Sequence, residues 1–486
     1  MDASEFRRTK IVATVGPASA ERAMLEALME AGADVFRLNF SHGSHADMAR
    51  IVTSIRELSR QRRRAVAILG DLQGPKIRTG RMRDGQMQLA TGEQVTITTA
   101  ERLGADGIIP TTYLALPQDV RAGDRILMDD GLLELVVESV AHGEVRCRVV
   151  VGGVLKDRKG INLPGVAVSA PALTDKDLAD LAFCIEHKLD YVALSFVRSA
   201  ADVIGLKEIL HREQSELKVI AKIEKPEAVT DFEAILAVSD GVMVARGDLG
   251  VELNPERVPL IQKRIIRLCN RAGKPVITAT QMLESMIGSP RPTRAETSDV
   301  ANAILDGTDA VMLSAETASG RYPREAVAMM VRIAGDVEAD PLLREHVFQL
   351  LPVDCGYPSL PEAIGQAACR VAVAVEAAAI LAFTQTGSTA GLVAKYRPPM
   401  PVYAVTPSQL VRRRMALHAG VRSIRVDIEG DTETQIRAVE AAVLAAGVLK
   451  KGDVVVITMG SPVSDPGTTN LLKIHRLGTG HYFEVH

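Results

Sequence analysis

Eight short apolar runs, each followed by a stretch of helical spacing, constrain this chain more tightly than any other feature. The runs are KIVATVG (10–16), VFRLNFS (35–41), AVAILGD (65–71), YVALSFV (191–197), KVIAKIE (218–224), GVMVARGD (241–248), PVITAT (275–280) and AVMLSAE (310–316). Several are almost continuously apolar, as parallel strands are when helices cover them. Gly32, Gly241, Gly273 and Gly307 stand just before such runs, where a helix ends and the chain turns into the next strand. In TDKDLADLAFCIEHKL, Thr174 and Asp177 form an N-terminal cap, and Leu178, Leu181, Ala182 and Ile185 share one face. Eight strands alternating with helices predict a (β/α)8 TIM barrel in preference to an open sheet.

One connection breaks the rhythm. More than a hundred residues separate the third run from the fourth, far beyond an ordinary loop. The insert alternates in QVTITTA, RILMDDGLLELVVESV and VRCRVVVGGV, with DDG and GG supplying turns, and so reads as a small β-barrel at 75–171. It leaves the barrel at a strand end where active-site loops emerge, the place for a lid. The barrel itself is expected to occupy 1–74 and 172–344. From 345 to 486 the alternation restarts in AAAILAFT, PVYAVT, VRSIRV, DVVVITM and HYFEV, which predicts a separate open α/β domain.

The strand KVIAKIE poses the functional question. Lys222 and Glu224 lie two residues apart, and side chains alternate along a strand, so both charges face one way. Catalytic groups of such barrels gather at the C-terminal ends of strands. Every strand but the first ends in polar residues: Arg37, Asn39 and Ser41; Asp71; Ser195; Lys222 and Glu224; Asp248; Thr280; Ser314 and Glu316. Singly, the Lys–Glu pair reads as a strand-end ion pair, Asp248 as a helix cap and Arg37 as the partner of a carboxylate. Convergence on one rim makes packing alone an improbable explanation.

The set has a chemical sense. Mg²⁺ takes one or two carboxylates and leaves its other positions to water and substrate, which Glu224 and Asp248 satisfy. Lys222 supplies a fixed positive charge for a transferring phosphoryl group or an enolate oxygen. Arg37 offers a planar fork for phosphate, and Gly247 lets backbone amides approach a carboxylate at a helix start. These residues point to metal-assisted chemistry on a small phosphorylated anion, with neither GxxxxGK[ST] nor a strand-following GxGxxG present.

A net charge of −3, 3% aromatic residues and no Trp argue against nucleic-acid binding. Five scattered cysteines (147, 184, 269, 355, 369) without metal spacing read as reduced thiols. The N-terminus lacks a signal-peptide core, and VAVAVEAAAILAF is too short to span a bilayer, so a soluble cytoplasmic protein is expected.

The stretches RRTKIVATVGPAS, RLNFSHG, GPKIRTG, KGINLPG, AKIEKPEAV, MVARGDLGVE, TATQMLESM and PRPTRAETSDVANAILDGTDAVMLSAETASGRYP resemble the pyruvate kinase family over the whole chain. The resemblance implies phosphoryl transfer from phosphoenolpyruvate to ADP, giving pyruvate and ATP. It implies that Lys222 stabilises the transition state and that Glu224 and Asp248 hold Mg²⁺, with Mn²⁺ as a substitute. Gly247, Asp248 and Thr280 would position phosphoenolpyruvate, and Arg37 would contact its phosphate. Asn39, His42, Arg78 and Lys159 match nucleotide-contacting positions. The proton donor to the enolate is left open, with Thr280 and Ser314 as near candidates.

Many members carry Thr-Lys-Gly-Pro-Glu after the third-strand Asp and use K⁺; here the run is Leu72-Gln73-Gly74-Pro75-Lys76. Asn39, Ser41 and Asp71, which match K⁺ ligands, are retained, so Lys76 is expected to supply the charge and make K⁺ dispensable. The plain alternative is a solvated hinge lysine. Thr384, Thr386, Ser388 and Thr389, between a strand and a helix, resemble the family's sugar-phosphate effector loop, with PVSDPGTTN placed to close over it. They also serve as a plain helix cap. A homotetramer is implied by resemblance alone. The basic runs 60–64 and 412–414 read as a helix end and as surface or interface. Two other classes remain open: a Mg²⁺-dependent aldolase or lyase acting on a pyruvate enolate, and a non-catalytic sensor of phosphorylated metabolites.

Overall fold

The structure, a computed structural model, describes residues 6–340, 359–427, 430–460 and 469–479. Strands β1 (Lys10–Val15), β2 (Val35–Asn39) and β3 (Ala67–Asp71) begin a barrel. The insert follows as β4 (Gln86–Leu89), β5 (Gln94–Thr98), β6 (Ile108–Pro110), β7 (Arg125–Met128), β8 (Leu133–Ala141), β9 (Glu144–Val151), β10 (Gly153–Lys156) and β11 (Ile161–Asn162). The barrel resumes with β12 (Tyr191–Leu194), β13 (Lys218–Ile223), β14 (Gly241–Ala245), β15 (Val276–Ala279) and β16 (Ala310–Leu313). It closes in the order β1-β16-β15-β14-β13-β12-β3-β2, all parallel.

Both faces of each strand are apolar because each has a partner. Val12, Val35, Leu69, Ala193, Ile220, Met243, Ile277 and Met312 fill the lumen, while Ile11, Phe36, Ile68, Val192, Val219, Val242 and Val311 pack outward against the helices. Helix ends are punctuated as expected: Gly273 is left-handed at φ 65°, which costs a side-chain-free residue nothing. Strands β12, β14 and β16 stop short of their expected ends. Phe196 turns at φ 54°, and helices start at Arg246 and Ala315, so Arg246, Gly247 and Asp248 head a helix directly after Ala245 ends the strand. The Thr174–Asp177 capping box forms, but the buried face of its helix is Asp177, Asp180, Leu181, Phe183 and Cys184; Leu178 is 42% exposed and Ala182 is exposed. Asp177 and Asp180 face inward because each has a long-range polar partner: Gly74 N donates to Asp177, and Lys176 Nζ and His45 Nε2 bond Asp180.

In the insert, the sheet β11-β7-β8-β9-β5-β6 and the ribbon β10-β4 wrap one apolar core that includes Ile97, Ile126, Leu135, Cys147 and Val149. Asp129, Asp130 and Gly131, all at positive φ, make the expected turn. The C-terminal sheet orders β17 (Ala379–Phe383), β18 (Val402–Thr406), β19 (Val421–Arg425), β20 (Val454–Met459) and β21 (Leu471–Arg476) as β19-β18-β17-β20-β21. Its antiparallel edge strand is LLKIHR, which the sequence reading passed over; HYFEV lies outside the described residues. This domain plugs the lower mouth of the barrel, where Ala416 and Leu417 join the lumen core. Arg397–Asp309 at 2.8 Å, Arg413–Asp190 at 2.7 Å and Lys10 Nζ to Val421 O at 2.7 Å fasten it. The run 412–414 is therefore an interface. No helix among the described residues is long and apolar enough to cross a membrane.

Candidate active site

Strand parity builds the site. Ile220 points into the lumen, so Lys222 and Glu224 do too, one and two steps nearer the upper mouth. The same count from Val35 brings Arg37 and Asn39 inward, and from Leu69 it brings Asp71. Lys222 Nζ lies 3.0 Å from Glu224 Oε1 and 3.2 Å from Asp71 Oδ1, and donates to Ser195 Oγ at 2.6 Å. Arg37 Nε meets Asp71 Oδ2 at 2.6 Å and its Nη1 meets Thr14 Oγ1 at 3.1 Å. The bland readings of these pairs are thus geometrically true, and the rim is one buried network.

Burial by itself would strip the Lys222 ammonium, but Asp71 and Glu224 hold its pKa up at about 12. Burial pushes the Asp71 carboxyl up, and Lys222 and Arg37 overcome it and hold the group below the usual carboxylate range. Glu224 goes the other way: burial and the like charge of Asp248 outweigh Lys222 and raise it. Lys222 and Arg37 face Asp71, Glu224 and Asp248, two cations against three anions. A divalent cation at Glu224 and Asp248 would relieve that imbalance, so the donor set fits Mg²⁺. Among the described residues no three His, Cys, Asp or Glu side chains cluster for a metal. Two carboxylates with oxygens from water and substrate is the Mg²⁺ pattern.

Asp248 stands in the first turn of the helix Arg246–Glu252, and not on a strand. Gly247 N donates to Thr280 Oγ1 at 2.7 Å, and Thr280 and Gln281 both hold positive φ, 70° and 53°. Positive φ is costly for a β-branched residue and marks a constrained, functional backbone. Arg246 Nη2 braces it by donating to Thr280 O at 2.8 Å, while Nη1 pairs with Asp299. A Cβ at Gly247 would sit 3.4 Å from Thr280 Oγ1, in ordinary contact with it. Glu316 is buried and accepts from Leu283 N at 3.1 Å and Ser314 N at 2.7 Å, which makes it a loop brace.

The other rim residues fall into two groups. Asn39 is the cross-strand partner of Asp71, and its Oδ1 accepts from Ser41 N at 3.1 Å, so the three K⁺-matching residues do assemble; His42 is exposed beside them. Arg78 and Lys159 meet in the insert, where Arg78 bridges to Gly160 and donates to Arg158 O at 3.2 Å, and Lys159 pairs with Asp129 at 2.8 Å. Lys76 is half-buried with no ion pair among the described residues, its Cε 3.5 Å from where a Cβ on Gly160 would lie. Asp71 takes its positive partners from Lys222 and Arg37.

In the C-terminal domain, Thr384 Oγ1 accepts from Gly387 N at 2.8 Å and Thr389 shares a hydrogen bond with Thr469 at 2.9 Å, both buried. Thr386 and Ser388 are exposed and bond each other at 3.1 Å. Of PVSDPGTTN only Thr469 and Asn470 are among the described residues. Sequence reasoning missed Arg246 and Lys176, which donates to Phe40 O at 2.6 Å and so holds the turn bearing Asn39 and Ser41. No local pattern marks either, since both act across long stretches of chain.

The family model described as pyruvate kinase, barrel domain, matches residues 6–327, and that for the pyruvate kinase alpha/beta domain matches residues 362–475. A pyruvate kinase of Geobacillus stearothermophilus is 48% identical over 472 residues, 96% of this chain and 80% of the relative. One from Sporosarcina psychrophila is 48% identical over 478 residues, covering 97% and 81%. A crystal structure of a pyruvate kinase from Cryptosporidium parvum superposes with a TM-score of 0.91 at 39% identity, over 98% of this chain and 97% of that one.

Proposed function

The chain belongs to the pyruvate kinase family, and from that premise we propose that its upper rim transfers the phosphoryl group of phosphoenolpyruvate to ADP, giving pyruvate and ATP. The observation that carries the reading is Lys222, buried and held protonated between Asp71 and Glu224 at the barrel mouth. The P–O bond to the enol oxygen breaks, a β-phosphate oxygen of ADP takes the phosphorus, and the enolate left behind gains a proton at its methylene carbon. Lys222 keeps a positive charge where negative charge develops, without reorganisation during the step. Arg37, already fixed on two sides, keeps Nη2 for the substrate phosphate. Thr280 and the amides at Gly247 and Asp248 orient the carboxylate end, Gly247 N exchanging its bond to Thr280 Oγ1 for one to the substrate. A divalent cation held by Glu224 and Asp248 would neutralise charge on substrate oxygens when bound. Arg78 and Lys159 approach from the insert, with Asn39 and His42 at the rim, to hold the nucleotide phosphates.

An aldolase built on the same barrel would have no use for that second pair of cations, and this disfavours it. We further read Lys76 as the internal substitute for K⁺, delivered from the hinge of the insert beside Gly160. Thr386 and Ser388, the two exposed hydroxyls of the C-terminal loop, are the proposed effector contacts for a phosphorylated metabolite, with Thr384 and Thr389 shaping the loop beneath them. A homotetramer and a cytoplasmic location complete the proposal; the four described cysteines are free and buried.

The test is pyruvate release from phosphoenolpyruvate and ADP with Mg²⁺, in potassium-free buffer and again with potassium. Equal activity in both is expected. Activity only with potassium would remove the Lys76 reading and keep the kinase. Silence in both from folded protein, tried with sugar phosphates as well, would remove the kinase.

A further inference from the structure

We infer that Glu252 is a positioning residue that ties the inserted β domain to the two metal carboxylates. The inference rests on the reading of Glu224 and Asp248 as the residues that hold the divalent cation. Glu252 closes the helix Arg246–Glu252, four residues beyond Asp248 and therefore on the same side of it. Its Oε1 accepts from Lys225 Nζ at 2.6 Å and from Asn162 Nδ2 at 2.8 Å. Lys225 is the residue directly after Glu224, and Asn162 belongs to β11 of the insert, paired there with Leu127. One carboxylate oxygen thus joins three bodies: the end of β13 that carries Glu224, the helix that carries Asp248, and the insert.

A second contact runs the same way. A Cβ on Gly131, in the turn between β7 and β8, would lie 3.7 Å from Val251 Cγ1, so the insert leans on the last turn of the Asp248 helix at two points. The arrangement is a poor one for stability alone. The Glu252 side chain is 1% exposed and that of Lys225 is 12%, yet Glu252 Oε2 is buried without a hydrogen-bond partner. A buried ion pair with an unsatisfied oxygen stabilises less than apolar packing of the same volume. Its value lies in geometry: the Lys225–Glu252 pair sets the spacing of the two elements that hold Glu224 and Asp248, and Asn162 makes that spacing depend on where the insert sits.

The test uses the full-length chain and Mn²⁺ as a paramagnetic stand-in for Mg²⁺, its free concentration followed by electron paramagnetic resonance, together with steady-state kinetics for ADP. Glu252→Gln is expected to weaken Mn²⁺ binding about tenfold, the size of effect that outer residues exert on metal sites. Asn162→Ala should leave Mn²⁺ affinity within about twofold of the unsubstituted protein while raising KM for ADP about fivefold at unchanged kcat, because it frees only the insert. The double variant Asn162→Ala with Glu252→Ala should show the ADP KM of Glu252→Ala alone, since both changes remove the same Asn162–Glu252 hydrogen bond. Unchanged Mn²⁺ affinity in Glu252→Gln, or additive ADP penalties in the double variant, would overturn the inference. If Glu252→Gln does not fold, Glu252→Asp, which keeps the charge and withdraws it, should give the same Mn²⁺ loss. Asp248→Asn is the control for the premise: Mn²⁺ binding unaffected by it removes the cation reading itself, a result distinct from normal loss there with no loss at Glu252.

Discussion

The barrel rim and the loop after β17 both set polar side chains between a parallel strand and a helix, yet they are different kinds of site. At the rim charged side chains meet in a buried to half-buried network, and their formal charges do not cancel: Lys222 and Arg37 face Asp71, Glu224 and Asp248. In the C-terminal loop the buried hydroxyls of Thr384 and Thr389 already have partners inside the protein, and only Thr386 and Ser388 face outward. A neutral hydroxyl satisfied by a backbone amide contributes to the fold with no ligand present. A buried, unbalanced set of charges costs stability until substrate and cation complete it. The contrast separates the rim we propose for catalysis from the loop we propose for an effector.

The largest expected effect breaks the charged region. Lys222→Met should lower kcat by about a thousandfold or more, the scale for loss of a preorganised electrostatic group, measured by quenched-flow release of pyruvate. A variant within tenfold of normal would mean that Lys222 only balances charge. Next comes competition between protons and metal. Burial and Asp248 raise the metal-free Glu224 pKa above its ordinary 4.5, so that carboxyl is protonated first as pH falls, and a cation must displace the proton. Mn²⁺ affinity should therefore drop as pH is lowered through that raised pKa, about tenfold per unit below it, and Glu224→Gln should flatten the dependence. A slope identical in both proteins would dissociate Glu224 from the metal.

A smaller effect concerns the joint between the two regions. Burial lowers His418 from 6.5 to about 4, against the opposing pull of Asp309. The unfolded chain takes up that proton first, so the stabilisation present above pH 6.5 is lost as pH falls toward 4. About 3 kcal/mol should disappear across that window, seen as a falling Tm, and His418→Gln should remove most of the slope. The smallest effect belongs to the loop. Thr386→Ala with Ser388→Ala should leave kcat unchanged and erase an effector's shift of KM for phosphoenolpyruvate, on the order of fivefold. An intact response would place the effector elsewhere.

Local pattern was enough for much of this protein. The spacing of apolar runs carries the barrel, because a strand buried on both faces needs apolar residues at nearly every position. Period two by itself puts Lys222 and Glu224 beside each other above Ile220, and the Thr174–Asp177 box follows from four consecutive residues. The outcome departed from pattern wherever a distant partner intervened. Leu178 lost its inward place because Asp177 and Asp180 are held there by Gly74 and His45. Asp248 left its strand because Gly247 N and Arg246 fasten the chain to Thr280. Leu417 became part of the barrel lumen, and Asn162 reached Glu252 across ninety residues of sequence. The sequence alone thus determined the alternation of barrel strands and helices and the two apolar faces of those strands, since those depend on neighbours a few residues away. Only the tertiary structure decided which charges meet, because a hydrogen bond between remote residues leaves no period in the chain that makes it.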